Sequence, residues 1–572
     1  MTFLSRNRSD FRLVRLLVTL LFAGLAVLVA SADTGYFEHS IFDNSLTRDS
    51  YFYSYGHEAS PSKLELDHER IPVETQHVYS PPTALRLSWT SMPEGGWTAQ
   101  IDAVKFRGRR LRFEGLNLYF WCYAPDGLPA SALPKLSIVD TEEQFSSQLR
   151  LADHSASISA GKWTQIKVPL TAFQNASLFP VNPIQLRSLI FSQGEADEKA
   201  HVLIIDDIRI DSEPTAGGPP PVPQNLEAKG FERHIDLSWQ AADNAALQYF
   251  RIERSLDGGP FEPVGIQISG ISRFTDFLGK VGVQAQYRVV AMDRANHVSP
   301  PSKPVAASTR SMTDDELLSM LQEACFRYYW DGAHPDSGTA LESKPGDDRI
   351  VATGATGFGI MALVVGTERG FITREQGLER LQKIVGFLER APKYHGAWSH
   401  FMDGHTAQTL PVFGPYDDGG DLVETAFLVQ GLLAARQYFN RSNAAERDLA
   451  SRITKLWEGV EWDWYRRGSD SDALYWHWSP DWAGQIKHRL TGFNETMIVY
   501  ILAIASPTHP VPADLYYSGW AGQSQVAIDY RRGWSGITDG DHYANGNTYE
   551  GIKLDVGVGS GGPLFFAHYS YL

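Results

Sequence analysis

The chain has 572 residues, 12% of them aromatic and 21% charged, which describes a folded protein of about three or four domains rather than a disordered one. A formal net charge of −16 leaves no basic excess for binding phosphates. That excludes nucleic acid and anionic membrane surfaces as partners and suits a neutral ligand such as a sugar.

The N-terminus has the pattern of an export signal over residues 1–32. Arg6, Arg8, Arg12 and Arg15 precede an apolar run from Leu16 to Val29, and Ala30-Ser31-Ala32 offers a small-residue cleavage site. The run is short for a membrane span, so removal rather than anchoring is expected, with a bacterial periplasmic or secreted product. The two cysteines, Cys122 and Cys325, fall in different predicted domains, so stability is expected to rest on core burial.

Residues 33–212 alternate in short stretches broken by Pro, Gly and Ser, including Ala84-Leu-Arg-Leu-Ser-Trp89, Leu116-Asn-Leu-Tyr-Phe-Trp121 and His201-Val-Leu-Ile-Ile-Asp-Asp-Ile-Arg-Ile210. Strands of this length and spacing predict an antiparallel sandwich. With Trp163-Thr-Gln-Ile-Lys-Val-Pro-Leu170, the ending resembles jelly-roll carbohydrate-binding modules. The resemblance implies an aromatic platform for sugar, with Trp97 and Trp121 as candidates, and a cation held by the acidic pair. Burial of both Trp in the core is the competing reading. A Pro/Gly linker spans 213–223. Residues 224–310, with Ile235-Asp-Leu-Ser-Trp239 and Gln286-Tyr-Arg-Val-Val-Ala-Met-Asp293, resemble a fibronectin type III sandwich, which implies a core Trp239, a corner Tyr287 and no catalysis.

From residue 311 the apolar period changes from two to about 3.6. Thr313-Asp-Asp-Glu316 opens a helix through Tyr329 and Thr373-Arg-Glu-Gln376 opens another that ends before Pro392. Further helices are expected at Thr353 to Glu368, about Gly420 to Tyr438, Asn443 to Trp462 and Asn494 to Ala505. Paired helices with long aromatic loops predict an all-α toroid.

The chemistry concentrates in two loops of this part. Phe413-Gly-Pro-Tyr-Asp-Asp-Gly-Gly-Asp-Leu-Val-Glu424 brings Asp417, Asp421 and Glu424 onto steps of four and three residues. If the helix starts near Asp418, they project together from its first turn. Acids there also cap free amides and complement the helix dipole, so capping and chemistry both fit. Tyr475-Trp-His-Trp-Ser-Pro-Asp-Trp482 crowds rings into a loop, which suits stacking on pyranose faces. Just after it, Glu495 is expected in the first turn of the last helix. Desolvation beside those rings would raise its pKa and keep a proton available.

Ala352-Thr-Gly-Ala-Thr-Gly-Phe-Gly-Ile-Met-Ala-Leu363, Trp398-Ser-His-Phe401, Gly492-Phe-Asn-Glu495 and Ser506-Pro-Thr-His-Pro510 resemble the glucoamylase-like domain of bacterial glycoside hydrolases. The acidic loop at Asp417 and the ending Gly561-Gly-Pro-Leu-Phe-Phe-Ala-His-Tyr-Ser570 bring the resemblance to the endo-β-1,2-glucanases. It implies an (α/α)6 barrel over 311–572 and inverting hydrolysis of a β-glucan. Glu495 would be the general acid. The water-activating carboxylate would come from Asp421 first, Asp417 second, or Glu424. Inversion needs the two carboxyl groups about 6.5–9.5 Å apart. Tyr416, Trp476, His477, Trp478, Trp482 and Arg489 are subsite candidates. The visible helices amount to about half of such a ring, so a truncated barrel is expected. No metal-ligand spacing or phosphate loop is present, and the hydrolysis needs no cofactor. The expected partner is an oligo- or polysaccharide, with the protein a monomer free of membrane. The alternative is a non-catalytic glycan-binding protein with a partial barrel.

Overall fold

A computed structural model describes residues 39–104, 112–174, 179–213, 218–242, 246–344, 346–492, 494–522, 524–525, 529, 548–553 and 564–571. The export segment lies outside the described residues, as does part of the Pro/Gly linker. The chain forms two compact units that divide between Met312 and Thr313, residues 106–109 aside. Among the described residues no helix is long and apolar enough to cross a membrane.

The first unit holds two sandwiches. In the first, a seven-stranded sheet runs Thr164–Pro169, Asn117–Tyr123, Ala200–Asp211, Ala84–Thr90, Lys63–Leu64 along its main path. It faces a five-stranded sheet in which Gly96–Asp102, Leu186–Ser192 and Lys135–Asp140 are central. The alternation seen in the sequence sends Leu85, Leu87, Phe120, Cys122, Ile205, Ile101, Ile138 and Leu189 into one shared core. Trp97 belongs to that core, with its Nε1–H on Ser91 Oγ at 3.2 Å. Trp121 is half-buried and stacks on Tyr79 at 4.0 Å. The acidic pair is tied into the sandwich unequally, Asp207 keeping a buried Oδ2 without a hydrogen bond. Asp206 is fully buried and accepts three backbone N–H bonds, from Tyr79 at 2.7 Å and from Ser80 and Asp207 at 2.8 Å. Asp207, at φ 47°, sits in the register break of its strand and accepts from Gln248 at 2.9 Å.

The second sandwich pairs a three-stranded sheet (Gln224–Gly230, His234–Gln240, Arg273–Phe277) with a four-stranded one (Glu262–Ile268, Leu247–Leu256, Gln284–Asp293, Val305–Ser308). Trp239 and Tyr287 are in its core, and the Tyr287 hydroxyl donates to Asp276 at 2.7 Å.

The second unit is helical: α1 Asp314–Trp330, α2 Thr353–Glu368, α3 Arg374–Arg390, α4 Leu422–Tyr438, α5 Ala444–Glu458 and α6 Met497–Ala505, followed by shorter pieces. Capping boxes at Thr313/Glu316 and Thr373/Gln376 start α1 and α3 where the sequence places them. Glycine lets α2 and α4 touch backbone to backbone: a Cβ on Gly357 would lie 2.2 Å from Phe427 O, and one on Gly431 2.2 Å from Gly357 O.

Three boundaries differ from the expected ones. Gly420–Asp421 is a two-residue strand paired with His477–Trp478, so α4 begins only at Leu422 and Asp421 is its N-cap. Helix α5 stops at Glu458, because Gly459 ends it and Trp462 turns into the core. Helix α6 starts at Met497, so Glu495 precedes its cap Thr496 rather than lying in the first turn.

Candidate active site

The acidic loop is fixed by tertiary pairing. Asp421 N–H bonds Trp398 O at 2.8 Å and Leu422 N–H bonds Trp476 O at 2.8 Å, while Asp421 and His477 are ladder partners. A Cβ on Gly419 would sit 2.0 Å from Trp478 O, so glycine is required for this close approach. Asp421 itself is completely buried. Its Oδ1 accepts from Val423 N and Glu424 N at 2.9 Å, and its Oδ2 from Trp476 Nε1 at 2.6 Å. His400 Nδ1 lies 2.8 Å from the same Oδ2. Four partners leave this carboxylate no free position for a water. The first-choice water activator is therefore a cap and anchor, because the helix starts four residues later than its acids suggested.

Around Asp421 the other acids are less fully engaged. Asp417 is buried; its Oδ2 accepts from Phe413 N at 3.3 Å, and its Oδ1 has no hydrogen bond and stands 3.8 Å from His477 Nε2. Burial pushes its carboxyl up to about 6, against the pull of the Phe413 amide and His400. Asp418 Oδ1 is also buried without a partner. Glu424 Oε2 accepts from Gly354 N at 2.8 Å and Oε1 lies 3.9 Å from His400 Nε2. Burial raises Glu424 to about 7, with His400 opposing and Asp421 adding to the rise. The contact explains the glycine at 354, where a Cβ would meet Glu424 Oε2 at 2.3 Å.

Glu495 joins the same cluster. Burial raises its carboxyl above the ordinary value and the charge of Asp421 raises it further, so the two lie within electrostatic reach. Its Oε2 is buried with no hydrogen bond. The backbone around it is held: Ser570 Oγ donates to Glu495 O at 2.5 Å, Trp520 Nε1 donates to Asn494 O at 3.0 Å, and Thr496 Oγ1 donates to Asn494 Oδ1 at 2.6 Å. Tyr569 feels both Glu424 and Glu495, which places the described C-terminal residues beside the cluster.

Comparison with known proteins gives the family. The family described as "Putative glucoamylase" matches residues 487–572, which include Glu495. Over 562 residues the chain is 44% identical to an exo β-1,2-glucooligosaccharide sophorohydrolase (non-reducing end) of Parabacteroides distasonis, covering 98% of this chain and 77% of that protein. A crystal structure of a β-1,2-glucanase from Parabacteroides distasonis superposes with a TM-score of 0.86 at 44% identity, covering 94% of this chain and 77% of that one.

The chain belongs to the glucoamylase-like glycoside hydrolases. It is an enzyme rather than a purely glycan-binding protein.

The aromatic loop of this glycoside hydrolase divides into anchors and surface. Tyr416 and Trp482 are exposed and meet edge to face at 5.2 Å. Trp478 is half-buried with its edge on His395 at 4.6 Å, and the exposed Trp464, not singled out from sequence, stacks on the same His395 at 3.7 Å. Three other subsite candidates are buried or paired with protein groups. Trp476 holds Asp421, and His477 is 1% exposed beneath Asp417 with burial pushing its pKa down. Arg489 is paired with Asp472. Sequence reading missed His400, which was visible only as part of the Trp398-Ser-His-Phe401 motif. It also missed Arg467, which lies over the Tyr475 ring at 4.2 Å and donates to His477 O and Ile486 O at 2.7 Å. A basic residue ahead of an aromatic loop was the available signal for Arg467. Nothing local marked His400.

Proposed function

We propose that this chain hydrolyses β-1,2-linked glucooligosaccharides with inversion, Glu495 acting as general acid and Asp417 as general base. The carrying observation is that Glu495 and Asp417 both lie within electrostatic reach of one anchored carboxylate, Asp421, and each keeps a buried oxygen that no protein donor claims. A raised carboxyl at Glu495 delivers its proton to the glycosidic oxygen as the bond to the anomeric carbon breaks. Water attacks that carbon from the opposite face and passes its proton to Asp417, leaving a hemiacetal of inverted configuration. Asp417 takes this role in preference to Asp421, whose acceptor positions are committed, and to Glu424, which faces Gly354 and His400. The exposed pair Tyr416 and Trp482, with Trp464 and Trp478, offers stacking faces for the sugar.

The relative matched over nearly the whole chain is named for exo release of sophorose from the non-reducing end. That supports the exo reading over the endo one which motif resemblance alone favoured. We further propose that the chain is exported, given its N-terminal charge pattern, that the unit from Thr313 is built on an (α/α)6 plan, and that the second sandwich is a fibronectin type III spacer.

Products from β-1,2-, β-1,3-, β-1,4- and β-1,6-glucooligosaccharides test the reading. Sophorose from the β-1,2 series alone, appearing as the α-anomer by NMR, is expected. A ladder of lengths would make the enzyme endo-acting. Cleavage of another linkage would reject the substrate, and a β-anomeric product would reject the acid/base assignment.

A further inference from the structure

His400 stands where the acids converge. Its Nδ1 is 2.8 Å from Asp421 Oδ2 and its Nε2 is 3.9 Å from Glu424 Oε1, while Phe401 and Phe413 wall the ring at 4.2 Å and 4.9 Å between centroids. Asp421 Oδ2 is fixed from a second side by Trp476, and Oδ1 by the first amides of α4. The oxygen that His400 meets therefore cannot turn away, and a carboxylate at each ring nitrogen favours the doubly protonated imidazolium. Burial works against that charge. Glu424, the bond to Asp421 and the charges of Asp421 and Asp417 outweigh it and lift the ring to about 9. His477 and His488, the other histidines that feel Asp421, have their pKa pushed down by burial and add no compensating charge near neutral pH.

We propose that His400 is a positioning residue of the hydrolysis: gripped by Asp421 and turned toward Glu424, its imidazolium is the counter-charge that keeps Asp417 ionised among crowded acids. This rests on the acid/base reading of the site given above. Three carboxyl groups sharing a buried site resist ionising together, and one fixed positive charge lets the base lose its proton while Glu495 keeps its own. The charge acts through Asp417 and Glu424, so it should be read in the pH profile rather than in substrate affinity.

The test is His400→Gln in the full chain, assayed on β-1,2-glucooligosaccharides across pH, with thermal unfolding to verify the fold. The expected result is an acidic limb moved up by about one pH unit, with kcat/KM down by about twofold at neutral pH and by about tenfold well below the limb, and KM within about threefold. In His400→Ala, added imidazole should restore part of the rate and return the limb toward its original position. An acidic limb that stays in place in both variants overturns the proposal. A readout free of turnover separates it from the functional reading: in wild-type protein, the His400 ring assigned by NMR difference against His400→Gln should remain charged at about pH 8. A ring that titrates near its ordinary value rejects the proposal whatever the substrate is. A charged ring, with Asp417 titrating about one unit higher in His400→Gln, supports the counter-charge even if no glucan is cleaved; in that case the hydrolase reading falls alone.

Discussion

Two sets of buried acids occur in this protein, and they look alike in the sequence. Asp206 and Asp207 end a strand of the first sandwich; Asp417, Asp418, Asp421 and Glu424 lead into α4. In the first set, Asp206 is surrounded by amides: its oxygens accept from Tyr79, Ser80 and Asp207, so burial is matched by donors. In the second set only Asp421 has that treatment. Asp417, Asp418 and the neighbouring Glu495 each keep a buried oxygen without a hydrogen bond. Burial alone therefore does not mark a reactive acid. What separates Asp206 and Asp421 from Asp417, Asp418 and Glu495 is the number of donors supplied, since a carboxylate whose oxygens are all engaged has nothing left to offer a water or a glycosidic oxygen, and Asp207, with its own buried Oδ2 lacking a hydrogen bond, falls between the two.

The sharpest way to break this comparison is to remove one acid from each set. Glu495→Gln keeps the shape and loses the proton, so kcat should fall by about 10²–10⁴ with the unfolding midpoint nearly unchanged. Asp206→Asn should do the reverse. Its amide would face the Tyr79 and Ser80 donors, costing about 2–3 kcal/mol in denaturant unfolding while kcat of the folded protein stays at the wild-type value. If both variants lose rate alike, the distinction by donor count is wrong.

Gly354→Ala sharpens the comparison from the backbone side. A Cβ there would meet Glu424 Oε2 at 2.3 Å, so either the carboxylate or α2 must shift. We expect a loss of about 1–3 kcal/mol in stability, with a fall in kcat because Glu424 also faces His400. Gly370→Ala is the control for helix effects elsewhere in α2. That glycine follows the helix at φ 73° with open space around it, so strain there should lower stability without touching the rate.

The parts that were legible in the sequence were those fixed by neighbours in the chain. Thr313 and Thr373 announce their helices because the capping box is closed within four residues, and the strands of both sandwiches announce themselves by alternation. The start of α4 was not legible in this way. Acids on steps of three and four suggested a helix from Asp418, but Gly420 and Asp421 pair with Trp478 and His477, more than fifty residues later, and that ladder delays the helix. The same long-range pairing decides the roles of the acids. Asp421 differs from Asp417 because Trp476 and His400 reach it, and neither contact has a signature in the acidic motif itself. For Glu495 the expectation from sequence was a carboxyl raised by desolvation, and burial does raise it, while the Ser570 and Trp520 contacts that fix its backbone had no signature.

The last prediction concerns stability against pH, where the second set of acids should again part from the structural ones. Asp417, Glu424 and His400 all have folded values raised above their ordinary ones, from 3.8 to about 6, 4.5 to about 7, and 6.5 to about 9. A group held more protonated in the fold contributes stability below its unfolded pKa and loses it as pH rises through the folded one. Stability of the helical unit should therefore decline stepwise from about pH 4 to 9. Glu446, clamped by Arg374 and lowered to about 2, has the opposite sign and matters only as pH falls below about 4.5. The stretch from above about 7, once Glu424 has lost its proton, to about 9 belongs to His400 alone among these four groups. One proton bounds its slope at about 1.4 kcal/mol per pH unit. Denaturation midpoints measured across that stretch should fall in wild-type protein and flatten in His400→Gln. An equal slope in both would mean that the ring is already neutral at the lower end, and that the acids around it are balanced by something other than this histidine.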